Sequence, residues 1–118
     1  MRIAFTSTGP GWDSKMNPGF GRTEYFIVYD DDTNEFSAFD NSDSSNESHG
    51  AGPKTAQRFL ELHAEILITG NGPGGNASAV LEKTETKIYV GAGNMLVQEA
   101  YIAYKNNELN EFTGSVNN

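Results

Sequence analysis

The residues best equipped for chemistry in this chain are glycines with a few polar, charged or aromatic neighbours. They fall in short runs: Ser7-Thr8-Gly9, Phe20-Gly21-Arg22, His49-Gly50-Ala51-Gly52, Gly70-Asn71-Gly72-Pro73-Gly74-Gly75 and Gly91-Ala92-Gly93-Asn94. Glycine leaves backbone N–H groups uncovered, and where such a run opens a helix those donors and the helix dipole suit an anion. A single run of this kind more often makes only a tight turn. Several on one edge of a sheet point to a ligand.

The Gly70 to Gly75 run has the letters of a dinucleotide fingerprint and the glycine spacing of a phosphate-binding loop. Asn76 and Ala77 stand where that loop needs lysine and then serine or threonine, and Gly91 stands where a ribose-binding acid is needed. Nucleotide binding is therefore disfavoured. Nuclease chemistry needs converging carboxylates, and Arg2 to Thr6, the first strand, has none. The Asp30-Asp31-Asp32 run lacks the spacing of a calcium loop and reads as a solvated turn. With no cysteine, disulfides, thiolate ligation and cysteine nucleophiles are all excluded.

Other candidates have an ordinary alternative. Arg22, Lys54 and Arg58 are possible counter-charges, Arg58 equally a residue of a solvated helix face. His49, in a loop before a helix, is either plain surface or a metal ligand; His63 suits the last turn of a helix, where a cation complements the dipole. Met16 and Met95 offer thioether sulfur but more commonly fill gaps in packing. Trp12, in a loop, either covers a ligand or partner or caps the end of the core.

Short β-forming runs and helical patterns must position these groups. The pattern predicts strands at Arg2–Thr6, Tyr25–Asp30, Glu35–Phe39, Glu65–Thr69 and Lys87–Val90, with a hairpin through Asp31-Asp32-Thr33-Asn34. Helices are predicted from Pro53 to about His63, from Asn76 to Lys83, and from Asn94, read as the cap, to Tyr104. Asn41–Ser48 reads as a flexible loop, and Asn106–Asn118 as a frayed tail. An antiparallel meander followed by right-handed crossovers directs the carboxyl ends of four strands to one edge. The glycine runs collect there, beside a crevice between the first and fourth strands.

One domain accounts for 118 residues of which 36% are apolar. The net charge of −8 argues against nucleic acid and anionic membranes, so an anionic ligand would have to be held by local groups. The first residues are too short an apolar run for a signal peptide, and no stretch approaches a membrane span, so a cytoplasmic location is expected.

Arg2-Ile3-Ala4-Phe5, Asp13-Ser14, Pro18-Gly19-Phe20-Gly21-Arg22, His49-Gly50-Ala51-Gly52, Leu67-Ile68-Thr69-Gly70 and Gly72-Pro73 fall in an order that resembles the dinitrogenase iron-molybdenum cofactor biosynthesis family. The resemblance covers nearly the whole chain. It implies a ribonuclease H-like α/β fold of three layers, with a five-stranded mixed sheet ordered 3-2-1-4-5. It also implies a noncovalently held metal-sulfide cluster, molybdenum-copper-sulfide or a related molybdenum/iron-sulfide type, and a carrier, not an enzyme. The expected organisation is one cluster-binding domain over residues 1–105 followed by a tail. The expected binding set is Ser7, Thr8, Gly9, Trp12, Phe20, Gly21, Arg22, His49, Gly50, Gly52, Lys54, Gly70, Asn71, Gly72, Gly74 and Asn76, with His49 the candidate direct ligand. The alternative expectation is a cofactor-free regulatory or scaffold protein that binds a protein partner, a cluster acceptor being another possible partner, through the same edge.

Overall fold

Residues 3 to 7 are buried without interruption, the pattern of a strand covered on both faces, and this strand lies inside the sheet. In the computed structural model, which describes residues 1–46 and 50–112, the strands are β1 (Arg2–Ser7), β2 (Tyr25–Asp30), β3 (Glu35–Asp40), β4 (Ile66–Ile68), β5 (Lys87–Val90) and β6 (Asn110–Glu111). The helices are α1 (Ser42–Ser45), α2 (Ala51–Leu60), α3 (Gly75–Leu81) and α4 (Val97–Lys105). The sheet order is β3-β2-β1-β4-β5-β6, with β1 antiparallel to β2 and parallel to β4.

Two apolar layers sandwich this sheet. Ala4, Phe26, Val28 and Leu67 meet Ala56 and Phe59 of α2 and Ala77 and Leu81 of α3. On the other face Ile3, Phe5, Ile27, Ile66 and Ile68 meet Val97 and Ala100 of α4. Strand residues alternate between the layers because successive side chains leave a strand on opposite faces. Phe20, Phe26 and Phe59 form a triangle with ring centroids 5.7–6.2 Å apart. Each such buried ring contributes about 1.5–3 kcal/mol through its removal from water. Phe20 lies in a loop, so this burial anchors the glycines on either side of it.

The predicted three-layer α/β architecture holds, with four corrections. Asn41–Ser48 is not wholly loop: the Asp40 carboxylate accepts the Ser42 N–H at 2.8 Å and starts the short α1. The tail is not frayed through Phe112: β6 pairs with β5, and the Phe112 N–H donates to the Ile88 carbonyl at 2.7 Å, so the sheet has six strands and β5 is interior. Helix α4 starts after Leu96, not Asn94, and the Glu99 carboxylate accepts the Leu96 N–H at 2.8 Å. His63 lies beyond the end of α2 with φ at 53°. Residues 113–118 of the predicted tail lie outside the described residues.

Candidate functional site

At the carboxyl ends of the strands, α2 and α3 begin side by side beneath the loop of Gly19 to Arg22. Between them lies an open groove of about 480 Å³ lined by Gly19, Gly21, Arg22, Gly50, Ala51, Gly52, Pro53, Gly74, Gly75 and Ala77. No carboxylate belongs to this lining among the described residues. Helix α2 is preceded by Gly50 in the left-handed region at φ 74°, a conformation open to glycine without strain, and no side chain caps it. Pro53 has no N–H, and the Lys54 N–H returns to the Gly50 carbonyl at 3.1 Å. The Ala51 and Gly52 N–H groups, left over by the first turn, find no acceptor among the described residues.

The glycines of the groove do two different things. A Cβ placed on Gly50, Gly74 or Gly75 would meet nothing within 4 Å, so these positions face open space. A Cβ on Gly21 would stand 3.1 Å from the Gly52 Cα and 3.3 Å from its nitrogen, so Gly21 lets the loop lie on the start of α2 without a side chain over that amide. The Thr55 hydroxyl donates to the Gly21 carbonyl at 2.6 Å, and the buried Asn41 amide donates to Thr55 at 3.1 Å and to the Thr23 carbonyl at 2.9 Å. This network ties the Arg22 loop to α2 and α1. Arg22 itself is exposed at the groove.

The other predicted site residues are dispersed. Ser7 is buried, its hydroxyl donating to the Gly9 carbonyl at 2.7 Å, and the Thr8 hydroxyl donates to the Lys15 carbonyl at 3.0 Å. The loop they begin turns to the opposite sheet face. There Trp12 packs against Phe5, Tyr29, Phe36 and Tyr101 at centroid distances of 5.2–5.9 Å. The same loop closes the start of α4, where the Val97 N–H donates to the Ser14 carbonyl at 2.9 Å and the Gln98 N–H to the Trp12 carbonyl at 3.0 Å. Phe20 is core. Gly70 is buried, where a Cβ would lie 2.6 Å from Pro18; Asn71 donates its N–H to the Pro18 carbonyl, and Gly72 faces the Phe112 ring. Lys54 is exposed on α2 outside the groove lining, Asn76 lies in the first turn of α3, and His49 lies outside the described residues.

Of the predicted set, Gly21, Arg22, Gly50, Gly52 and Gly74 meet at one place. Gly19, Ala51, Pro53, Gly75 and Ala77 join them from outside the expected binding set, although Ala51 and Gly75 belong to the glycine runs that supplied Gly50, Gly52 and Gly74. Met16 is buried and Met95 packs against the same cluster, as the gap-filling reading expects. Arg58 pairs with Asp43 at 3.5 Å. The Asp30-Asp31-Asp32 carboxylates approach one another, yet the Met1 amino group pairs with all three and Lys105 lies 3.7 Å from Asp31. Hydrogen bonds from the Asp32 N–H to Asp30, and from the Ser42 hydroxyl and N–H to Asp40, hold both carboxyls below the usual range. A second depression, about 400 Å³, lies at the opposite end of the strands against Phe59, His63, Glu65 and Glu85. Its two carboxylates and lack of a helix start suit an anion poorly.

The groove's donors, openness and one cation fit an anion whose surface accepts hydrogen bonds, and the absence of cysteine means that such a ligand would be held without a thiolate bond. Comparison with known proteins agrees with the fold and adds an identity. The apo form of the orange protein from Desulfovibrio gigas has a TM-score of 0.89 and 33% identity, over 96% of this chain and 93% of that one. An NMR structure of a NifB-like protein from Thermotoga, of the DUF35 family, has a TM-score of 0.82 and 32% identity, over 99% of this chain and 97% of that one. No curated protein sequence matches. Residues 1–107 match the family described as dinitrogenase iron-molybdenum cofactor, and the chain belongs to that family.

Proposed function

We propose that this protein binds and carries an anionic metal-sulfide cluster, of the molybdenum-copper-sulfide or iron-molybdenum type, in the groove between the Gly19–Arg22 loop, α2 and α3. The observation that carries the reading is the meeting of the Ala51 and Gly52 N–H groups with three glycines whose missing side chains leave room. Local potential has to outweigh a net charge of −8. The start of α2 and the Arg22 guanidinium supply it, and the groove's lining adds no described carboxylate. Guanidinium can direct several N–H donors at sulfide in a fixed geometry. The cluster is cargo: it enters and leaves because charge and hydrogen bonds hold it, not covalent ligation. Transfer to an acceptor protein follows naturally from such a grip, in the cytoplasm. Among the described residues no helix is long and apolar enough to cross a membrane.

The test is anaerobic titration of the apo protein with thiomolybdate and copper. A saturable visible charge-transfer absorption at stoichiometric metal is expected. Uptake no greater than that of an unrelated acidic protein would sink the proposal.

A further inference from the structure

The two edges of the sheet are guarded differently. At one, β6 has only two residues, a length too short to template another strand. At the other, β3 pairs with β2 through six consecutive residues without a bulge, and every residue of it is exposed. It carries no proline and no lysine, the usual means of blunting an edge. An antiparallel edge strand turns alternate N–H and C=O groups outward, where another strand can take them. Two phenylalanines stand on this edge, Phe36 at 40% and Phe39 at 39% exposure.

Pairing with β2 puts Phe36 and Ala38 on the Trp12 side of the sheet, and Ser37 and Phe39 on the α2 side. On the Trp12 side, Phe36, Tyr29 and Trp12 border an open cleft of about 280 Å³. Charge decides what can lie here. Between Arg22 and Lys54 the sequence has no lysine or arginine, but it has Glu24, Asp30, Asp31, Asp32, Glu35, Asp40, Asp43 and Glu47. Met1 and Lys105 answer the Asp30–Asp32 run and Arg58 answers Asp43, and the acids on β3 itself are Glu35 and Asp40. Glu35 and Asp40 close the two ends of β3. A second copy pairing antiparallel in the symmetric register would set Glu35 against Asp40 at both ends, and like charges directly opposed destabilise a strand pair.

We infer that β3 is a docking edge for an extended segment of a different protein, one with a basic residue at each end and apolar residues between. The segment adds a seventh strand, antiparallel to β3. Its basic residues lie opposite Asp40 and Glu35, and its side chain opposite Phe36 fills the Trp12 cleft. Backbone bonds supply the affinity, and the charges and cleft supply selectivity. This surface is separate from the groove and does not depend on what the groove holds.

The apo protein and the peptide acetyl-Lys-Val-Thr-Val-Phe-Lys-amide test it. Trp12 is the chain's single tryptophan, so its fluorescence reports the cleft without a label. A saturable change in that signal is expected, with slowed amide exchange across Glu35 to Asp40. Replacing both peptide lysines with glutamate should abolish binding, and Phe36→Lys should weaken it by about tenfold or more. N-methylation of one alternate set of peptide amides should abolish binding and of the other leave it, since only one set faces β3. Because these changes are in the peptide, misfolding of a protein variant cannot imitate them. Equal binding by the glutamate peptide, tolerance of both methylated sets, or sedimentation showing the apo chain already dimeric through β3 would overturn the inference.

Discussion

Helices α2 and α4 both begin after a strand's carboxyl end, and both follow glycine-rich loops, yet one start is open and the other sealed. At α4, the carbonyls of Trp12 and Ser14 take the Gln98 and Val97 N–H groups, and Glu99 takes that of Leu96. At α2, Gly50 has no side chain to cap with, Pro53 has no N–H, and Gly21 lies against the helix without covering the Gly52 amide. A helix start is an anion site only if nothing in the fold has already answered its donors. Glycine richness does not distinguish the two cases. What distinguishes them is the path of the loop after β1, which crosses to α4 and leaves α2 uncovered.

The sharpest test of this contrast separates glycines that let backbones touch from glycines that leave space. Gly70→Ala should destabilise the fold by about 3 kcal/mol, because a methyl 2.6 Å from the Pro18 Cα and carbonyl oxygen forces backbone apart. Denaturant unfolding measures this, and a loss below experimental error would show that Gly70 is not a packing glycine.

Next in size is Arg22→Ala, expected to weaken cluster retention by about 1–3 kcal/mol, the scale of a lost charged hydrogen bond, while leaving circular dichroism unchanged. Lys87→Ala removes the same charge at the start of β5, the opposite end of the sheet, and should leave retention as it was. Equal losses from the two in equilibrium dialysis would mean that bulk charge, not the groove, holds the cluster.

A smaller effect of mixed sign is expected for Gly75→Ala. The methyl enters open space at the first residue of α3, so thermal stability should rise by about 0.5–1 kcal/mol as the unfolded chain loses freedom. Cluster retention should fall, since the same methyl narrows the groove. A stabilised variant with undiminished retention would move the cluster elsewhere.

The smallest change is expected on the sealed side. Glu99→Ala removes the acceptor of the Leu96 N–H and should cost about 0.5–1 kcal/mol of stability with no change in cluster uptake. Altered uptake in this variant would mean that the α4 start takes part in binding after all.

Much of the molecule was legible in the residues themselves. Ile3-Ala4-Phe5, Phe26-Ile27-Val28 and Leu67-Ile68 are apolar runs that a strand buried on both faces requires, and the Asp31 to Asn34 turn can only close a hairpin between its neighbours. The spacing of Ala56, Phe59 and Leu60 marks a helix wherever it packs. Local pattern settles such elements because the period of side chains along a chain depends on backbone geometry alone. Less legible were α1 and β6. Neither Ser42-Asp43-Ser44-Ser45 nor Asn110-Glu111 has an apolar period, and each forms because a neighbour supplies its hydrogen bonds: the Asp40 carboxylate for α1, the exposed edge of β5 for β6.

The candidate site divides along the same line. Sequence alone placed glycine runs at strand ends, removed every thiolate, and offered Arg22 as a cation inside one of those runs. Only the tertiary structure decided that Trp12 turns to the α4 face, that Phe20 is an anchor, that Gly70 touches Pro18, and that Gly21, Gly52 and Gly74 share one groove. The reason is physical. Backbone freedom is a property of each glycine, whereas whether its amide stays open depends on which distant carbonyl or side chain the packed fold brings against it.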